Sequence, residues 1–237
     1  MKLLAFESSA KAAGTALLCD GILLGECVQN SGQTHSRTLM QMAKDLLCNC
    51  SLSPQQIDAV AVAAGPGSFT GVRIGMACAK GFAWGRELPL YGVSTLEAMA
   101  RGAAYADGLY CACMDARREQ IYNAVFACSG GMLTRRTDDR AISIETLGEE
   151  LAGVSGSIYL VGDGAKLVAE TLAPLHLPLV LLPEHLRQQR AAGVALCAQA
   201  RIDAGDAGEA ASLSPNYLRQ AQAERTRQLD KDFYLKK

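Results

Sequence analysis

The sequence contains no apolar run of membrane length, and its opening, Met1-Lys-Leu-Leu-Ala-Phe-Glu7, reaches an acid too soon for a secretory signal. Neither a membrane protein nor a secreted one is expected. A dominant charge is also missing: 23 Lys and Arg oppose 24 Asp and Glu, so no overall basic field holds nucleic acid unaided. There is no C-x-x-C. The nine cysteines are odd in number and scattered, with the C-x-C pairs Cys48/Cys50 and Cys111/Cys113 and no histidine at zinc spacing. Buried, reduced thiols in a cytoplasmic protein with no metal site are the expectation. Histidine is scarce as well: His35, His176 and His185 are dispersed and provide no recognisable base for Ser-His-Asp or Cys-His chemistry.

What is present is apolar. Of 237 residues, 49% are hydrophobic, enough for one large domain or two small lobes. The most distinctive stretch is Ala61-Val-Ala-Ala-Gly65-Pro-Gly-Ser-Phe-Thr-Gly71-Val-Arg-Ile-Gly75, an apolar strand running through a glycine-rich turn into a helix. Such a junction exposes helix N–H groups that suit an anion. A P-loop needs Lys after its last glycine, where Val72 stands, and a dinucleotide fingerprint needs closer glycines than Gly65, Gly67 and Gly71. Spacing leaves a phosphate cradle and a tight strand-to-helix bend equally open.

In chain order, strands are expected at Leu3 to Phe6, Gly14 to Cys19 and Ile22 to Val28, the last two joined by the hairpin dipeptide Asp20-Gly21. A helix from His35 to Cys48, with Thr34 or Ser36 as cap, carries an apolar stripe of Leu39, Met42, Ala43, Leu46 and Leu47. Then come a strand at Ile57 to Ala63, a helix to Trp84, a strand at Pro89 to Val93 and a helix opened by the capping box Ser94-Thr-Leu-Glu97. The order restarts after Gly108: strands at Leu109 to Met114, Gln120 to Ala127 and Met132 to Arg136, a helix at Glu145 to Leu151, a strand at Ser157 to Val161, a helix at Ala165 to Leu172, a strand at Leu179 to Leu182 and a helix at Ala191 to Ala204. Two copies of a three-strand meander with following helices predict two α/β lobes facing across a cleft, residues 1–106 and 107–205, with a tail at 206–237. This is the plan of the actin/hexokinase/Hsp70-like (ASKHA) fold, each lobe a minimal RNase H-like βββαβαβ unit.

In that plan Glu7 and Asp115 end the first strand of each half, and Gly65-Pro-Gly67 and Gly162-Asp-Gly164 sit at strand-to-helix junctions. Acids at strand ends hold Mg²⁺ beside a nucleotide, or orient turns by accepting backbone hydrogen bonds. Glu7, Ser8, Asp115, Gly162 and Gly164 are thus the candidates for a vestigial nucleotide site, with Arg117 and Arg118 nearby as phosphate contacts. Along the helix after the turn, Gly71, Gly75, Ala79 and Ala83 repeat every four residues as a bare ridge flanked by Met76, Phe82 and Trp84. Glycine inside a helix costs roughly 1 kcal/mol relative to Ala, so close approach must offset Gly75 and Gly81. The approach is either to the protein's own sheet or to another subunit. Met40 and Met42 add adaptable surface on the preceding helix.

The motifs Leu4-Ala-Phe-Glu-Ser-Ser9, His35-Ser36, Gly65 to Gly75, Ala79-Lys-Gly81, Gly92-Val-Ser-Thr-Leu-Glu97, Met114-Asp-Ala-Arg117 and Ser214-Pro-Asn-Tyr-Leu-Arg219 resemble the TsaB (YeaZ) family. The resemblance is dense over residues 1–120 and thins between Gly130 and Asp206. It implies a non-catalytic role in making N6-threonylcarbamoyladenosine at position 37 of tRNAs reading ANN codons. The implied partners are the catalytic paralogue TsaD, as a heterodimer, and TsaE. ATP and a metal ion are then handled by the partner subunits, and tRNA is met through the assembly. TsaD carries a metal-binding H-x-x-x-H where this chain has Thr95 and Met99, a pair unsuited to a hard ion. The usual family opening Asp-Thr-Ser is here Glu7-Ser8-Ser9.

The expected interface is the helices at 35–48 and 71–84, through Leu39, Met42, Leu46, Gly71, Gly75, Met76, Ala79, Phe82 and Ala83, with a homodimer reusing the same patch. Gly75→Leu is expected to abolish pairing and leave a folded monomer. Arg219, Arg225, Arg227, Lys231, Lys236 and Lys237 make the C-terminal segment a candidate tail facing tRNA or a partner. The rival readings are a small ATPase acting through Glu7, Asp115 and both glycine turns, and a peptidase.

Overall fold

The structure, a computed structural model, describes residues 1–117, 119–208 and 212–219. Arg118 and the basic residues Arg225, Arg227, Lys231, Lys236 and Lys237 lie outside the described residues.

The first half folds as β1 (Lys2–Glu7), β2 (Ala13–Cys19), β3 (Ile22–Gln29), α1 (His35–Asn49), β4 (Ala59–Gly65), α2 (Phe69–Trp84), β5 (Leu90–Ser94) and α3 (Thr95–Ala103). Its sheet has the order β3-β2-β1-β4-β5. β1 pairs antiparallel with β2 and parallel with β4, and β4 pairs parallel with β5. At the β2–β3 hairpin both Asp20 and Gly21 take positive φ, 48° and 79°, the two left-handed residues of a type I′ turn. The apolar runs of β1 and β4 are continuous because both faces of the sheet are covered. Leu4, Phe6, Val60 and Val62 pack with α1 and α2, whereas Leu3, Ala5, Ala59 and Ala61 pack with a helix from the far end of the chain.

The second half gives β6 (Gly108–Asp115), β7 (Gln120–Ser129), β8 (Met132–Arg135), β9 (Arg140–Ser143), α4 (Ile144–Leu151), β10 (Ile158–Val161), α5 (Ala165–Leu172), β11 (Leu179–Leu181), α6 (Glu184–Arg187) and α7 (Ala191–Asp203). Its order is β11-β10-β6-β7-β8, the first sheet's order repeated strand for strand. The duplication expected from the sequence is present, and with it the two-lobed actin/hexokinase/Hsp70-like architecture. β9 was not expected; it continues the third-strand position by pairing with Gln120 to Asn123 of β7, beyond the part that β8 covers.

Packing departs from chain order at α7. This helix covers the first sheet through Ala191, Val194, Ala195 and Ala198 and crosses α3, where a Cβ on Gly193 would overlap the Ala98 carbonyl. Its first turn is held by Glu26 of β3, which accepts from the Ala192 amide at 3.0 Å and pairs with Arg190. α7, within the residues 107–205 expected as the second lobe, thus packs on the first sheet. α3 joins the two lobes: Ala98 faces the first core, and Leu96, Met99 and Ala100 face Tyr110, Ala112 and Met114 of β6. Among the described residues no helix is long and apolar enough to cross a membrane.

Candidate functional site

The glycine turn is stitched to the loop that leaves β1. The Ser68 amide donates to the Ser9 carbonyl at 2.7 Å, the Ser8 hydroxyl donates to the Gly71 carbonyl at 2.9 Å, and the Gly71 amide donates to Ser68 Oγ at 3.3 Å. A side chain at Gly67 would overlap the Ser9 carbonyl, one at Gly71 the Ser8 carbonyl, and one at Gly75 the Ser8 hydroxyl. The glycines thus let α2 lie against residues 8 and 9, with the Ser68 and Gly71 amides already bonded. Of the two readings left open by spacing, the tight bend is the one observed.

The bare ridge accordingly points inward. Gly71, Gly75, Met76, Ala79 and Ala83 are buried against the protein's own sheet, as are Leu39, Met42 and Leu46 of α1. This corrects the expectation that the ridge is a docking surface: its smallness serves close packing within the chain. Of the nine interface candidates only Phe82 is partly open.

The outward sides of the same two helices form something the periodicity did not reveal. Between them runs a groove of about 850 Å³, floored and walled by Met40, Leu47, Cys48, Ala77, Gly81 and Phe82. A Cβ at Gly81 would meet nothing within 4 Å, so its bareness opens the groove. Arg86 closes one end, its guanidinium 4.1 Å above the Phe82 ring and donating to the Phe82 carbonyl at 2.9 Å. Trp84, 76% exposed, and Met40, 43% exposed, stand on the same helices. The cysteines are free, yet Cys48 is exposed and Cys78 only half-buried, so not all are core thiols as expected. The signal in the sequence was the leftover side of each helix: Ala77 and Gly81, small residues facing away from the core.

The vestigial-site candidates do converge at the mouth between the lobes. Glu7 is fully buried; its Oε1 accepts from the Ser9 amide at 2.6 Å and its Oε2 has no partner. Burial pushes its carboxyl up, and Asp163 nearby adds to that. Asp163 is open to solvent on one side, yet loss of hydration and Asp115 raise it too, while Gln189 Nε2 donates to it at 2.9 Å. Asp115 is exposed and accepts from the Arg117 amide at 2.7 Å, which holds Arg117 at φ 63°. Gly162 and Gly164 press on β6, where a side chain at Gly162 would overlap the Cys113 carbonyl. Glu7, whose carboxyl is raised by burial, and Asp115 each accept a hydrogen bond from the backbone amide two residues on. Here they orient turns. His35, the one histidine in this region, bonds the Ala10 carbonyl at 2.8 Å and no nucleophile.

Comparison with known proteins agrees with this layout. The family model described as TsaD, tRNA N6-adenosine threonylcarbamoyltransferase, matches residues 28–173. The tRNA threonylcarbamoyladenosine biosynthesis protein TsaB of Bacillus subtilis (strain 168) is 33% identical over 167 residues, covering 70% of this chain and 73% of that protein. The chain belongs to the TsaB family. A solved structure from Pseudomonas aeruginosa, described as similar to the peptidase YeaZ, superposes with a TM-score of 0.79 at 26% identity over 92% of this chain and 99% of that one. Component A of the (R)-2-hydroxyglutaryl-CoA dehydratase of Acidaminococcus fermentans shares the fold alone, at a TM-score of 0.50 and 11% identity over 83% and 97% of the two chains.

At the junction of β5 and α3, Thr95 and Met99 lie inside the protein. Thr95 is fully buried and its hydroxyl has no partner; Met99 is 3% exposed, and its methyl group lies 3.2 Å from where a Cβ on Gly162 would stand. This face of α3 is a packed contact between the lobes.

Proposed function

We propose that this chain is the non-catalytic partner subunit of a tRNA N6-threonylcarbamoyladenosine-forming assembly, acting in the cytoplasm. It binds a TsaD subunit through the outward sides of α1 and α2, and TsaE and tRNA join the assembled complex. It carries no nucleotide or metal of its own. The observation that supports this most is the apolar groove between α1 and α2 in a TsaB-family chain. Such a groove suits the apolar face of a helix from a related subunit, since paralogues retain matching surfaces. A second copy of this chain fits the same groove, giving a homodimer that TsaD displaces.

The test is pairing. Ala77 is exposed in the groove, so Ala77→Glu introduces a charge there without touching the core. By size-exclusion chromatography with purified TsaD from the same organism, the wild-type chain is expected to co-elute. Ala77→Glu is expected to elute alone with an unchanged circular dichroism spectrum. Co-elution of both proteins to the same extent contradicts the assignment of the face.

A further inference from the structure

Beyond α7 the chain is described again from Ser212 to Arg219, where it runs over the mouth between the lobes. Its fastenings to the first lobe are several. Leu213 is 5% exposed and fills the space above Gly92, where a Cβ would overlap it. The Asn216 amide donates to the Ala64 carbonyl at 2.7 Å, and its own carbonyl covers Gly65. Tyr217 stacks on Phe69 with centroids 4.8 Å apart, and Arg73, 4.0 Å from the Phe69 centroid, donates Nε to the Tyr217 hydroxyl at 2.8 Å. Two residues later the segment meets the second lobe: Arg219 Nη1 donates to the Ala116 carbonyl at 2.6 Å, immediately after β6 and Asp115.

We infer that residues 212–219 are a strap that latches the facing ends of the two lobes, with Tyr217 as its anchor and Arg219 as its catch. The asymmetry of the fastenings sets the order of release. The first-lobe end combines a buried leucine, an aromatic stack and two hydrogen bonds. The second-lobe end is one charged hydrogen bond to a carbonyl, which opens first. Release at Arg219 frees the turn after Asp115 and lets the mouth beside Glu7 and Asp163 widen. The strap thus sets how freely the facing ends of the two lobes separate.

Hydrogen–deuterium exchange of the full chain, read by mass spectrometry, tests this. Tyr217→Ala removes only the first-lobe anchor, yet it is expected to speed exchange of the Cys113 to Arg117 amides in the second lobe about tenfold, as loss of a charged hydrogen bond would. Exchange in β2 stays unchanged. Arg219→Ala gives the same acceleration at 113–117. If Tyr217→Ala leaves those amides at the wild-type rate, the strap is two separate local contacts and the latch is wrong, whatever Arg219→Ala does. Should Tyr217→Ala loosen β2 as well, Tyr217→Phe decides. It keeps the stack and loses only the bond to Arg73, and a smaller acceleration confined to 113–117 supports the latch whereas none overturns it.

Discussion

At the residue scale, Gly75 and Glu7 carry the sharpest consequences. Gly75 has its missing side chain where Ser8 Oγ stands, so Gly75→Leu forces α2 away from β1. The expected cost is about 3 kcal/mol of stability, typical of overpacking a buried contact. Thermal denaturation checks it: a large fall in Tm is predicted, whereas a folded monomer of wild-type stability with pairing alone lost would restore the docking-ridge reading. Glu7 gives a pH signature. Burial holds its carboxyl above the ordinary value of 4.5, so the folded state retains this proton more firmly than the unfolded chain does. Its contribution is fully present below 4.5 and is lost as pH rises through the folded value. Glu7→Gln removes that titration while keeping an acceptor for the Ser9 amide. The stability of Glu7→Gln relative to wild type is therefore expected to grow as pH increases from 4.5 to 8 in a series of melts. A difference independent of pH contradicts a neutral, buried Glu7. Both residues were visible in the sequence as a glycine in a helix and an acid ending a strand. Which neighbour they met was not, because Ser8 and Gly75 are 67 positions apart in the chain and no local pattern pairs them.

At the element scale, legibility followed locality. The Asp20-Gly21 hairpin, the Ser94 cap that accepts from the Glu97 amide at 3.2 Å, and the strand-turn-helix at Gly65 rest on neighbouring residues and were readable. By contrast, the apolar stripe of α1 is the core stripe, and its outward side is mixed with Lys44 and Cys48, which hid the groove. The placement of α7 was unreadable for a different reason: its small residues allow it to fit under either sheet, and contacts at Gly193 and Glu26 decide. The strap makes an element-level prediction. Leu213 is a member of the first core although, among the described residues, it lies beyond every helix and strand, so Leu213→Ala is expected to cost about 3 kcal/mol, as core leucines do. Chemical denaturation measures this, and a loss below about 0.5 kcal/mol, the range of surface positions, would mean that the segment does not belong to the core. For the groove, Ala77→Glu is expected to break a homodimer and a TsaD heterodimer alike. Loss of one without the other, seen by analytical ultracentrifugation, would mean that the two use different faces.

At the scale of the whole molecule, the repeated strand order was legible because two meanders with following helices recur along the chain, and parallel β1–β4 and β6–β10 pairings follow from helical crossovers. What the duplication could not tell is that the cleft between the copies is occupied by packing. Met99 fills against Gly162, Glu7 is buried, and the strap crosses the mouth. An open apolar groove lies instead on the outside of the first lobe, between α1 and α2. Under the proposed function the chain is a binding partner whose contribution is stoichiometric. The most direct measurement is tRNA modification in a reconstituted mixture containing a fixed amount of TsaD, with TsaE, ATP and tRNA, as this chain is titrated in. Product formation is predicted to be negligible without the chain, to rise and level off near one chain per TsaD, and to stay negligible when Ala77→Glu replaces it. Full activity without the chain, or product formed by the chain in the absence of TsaD, would contradict the account.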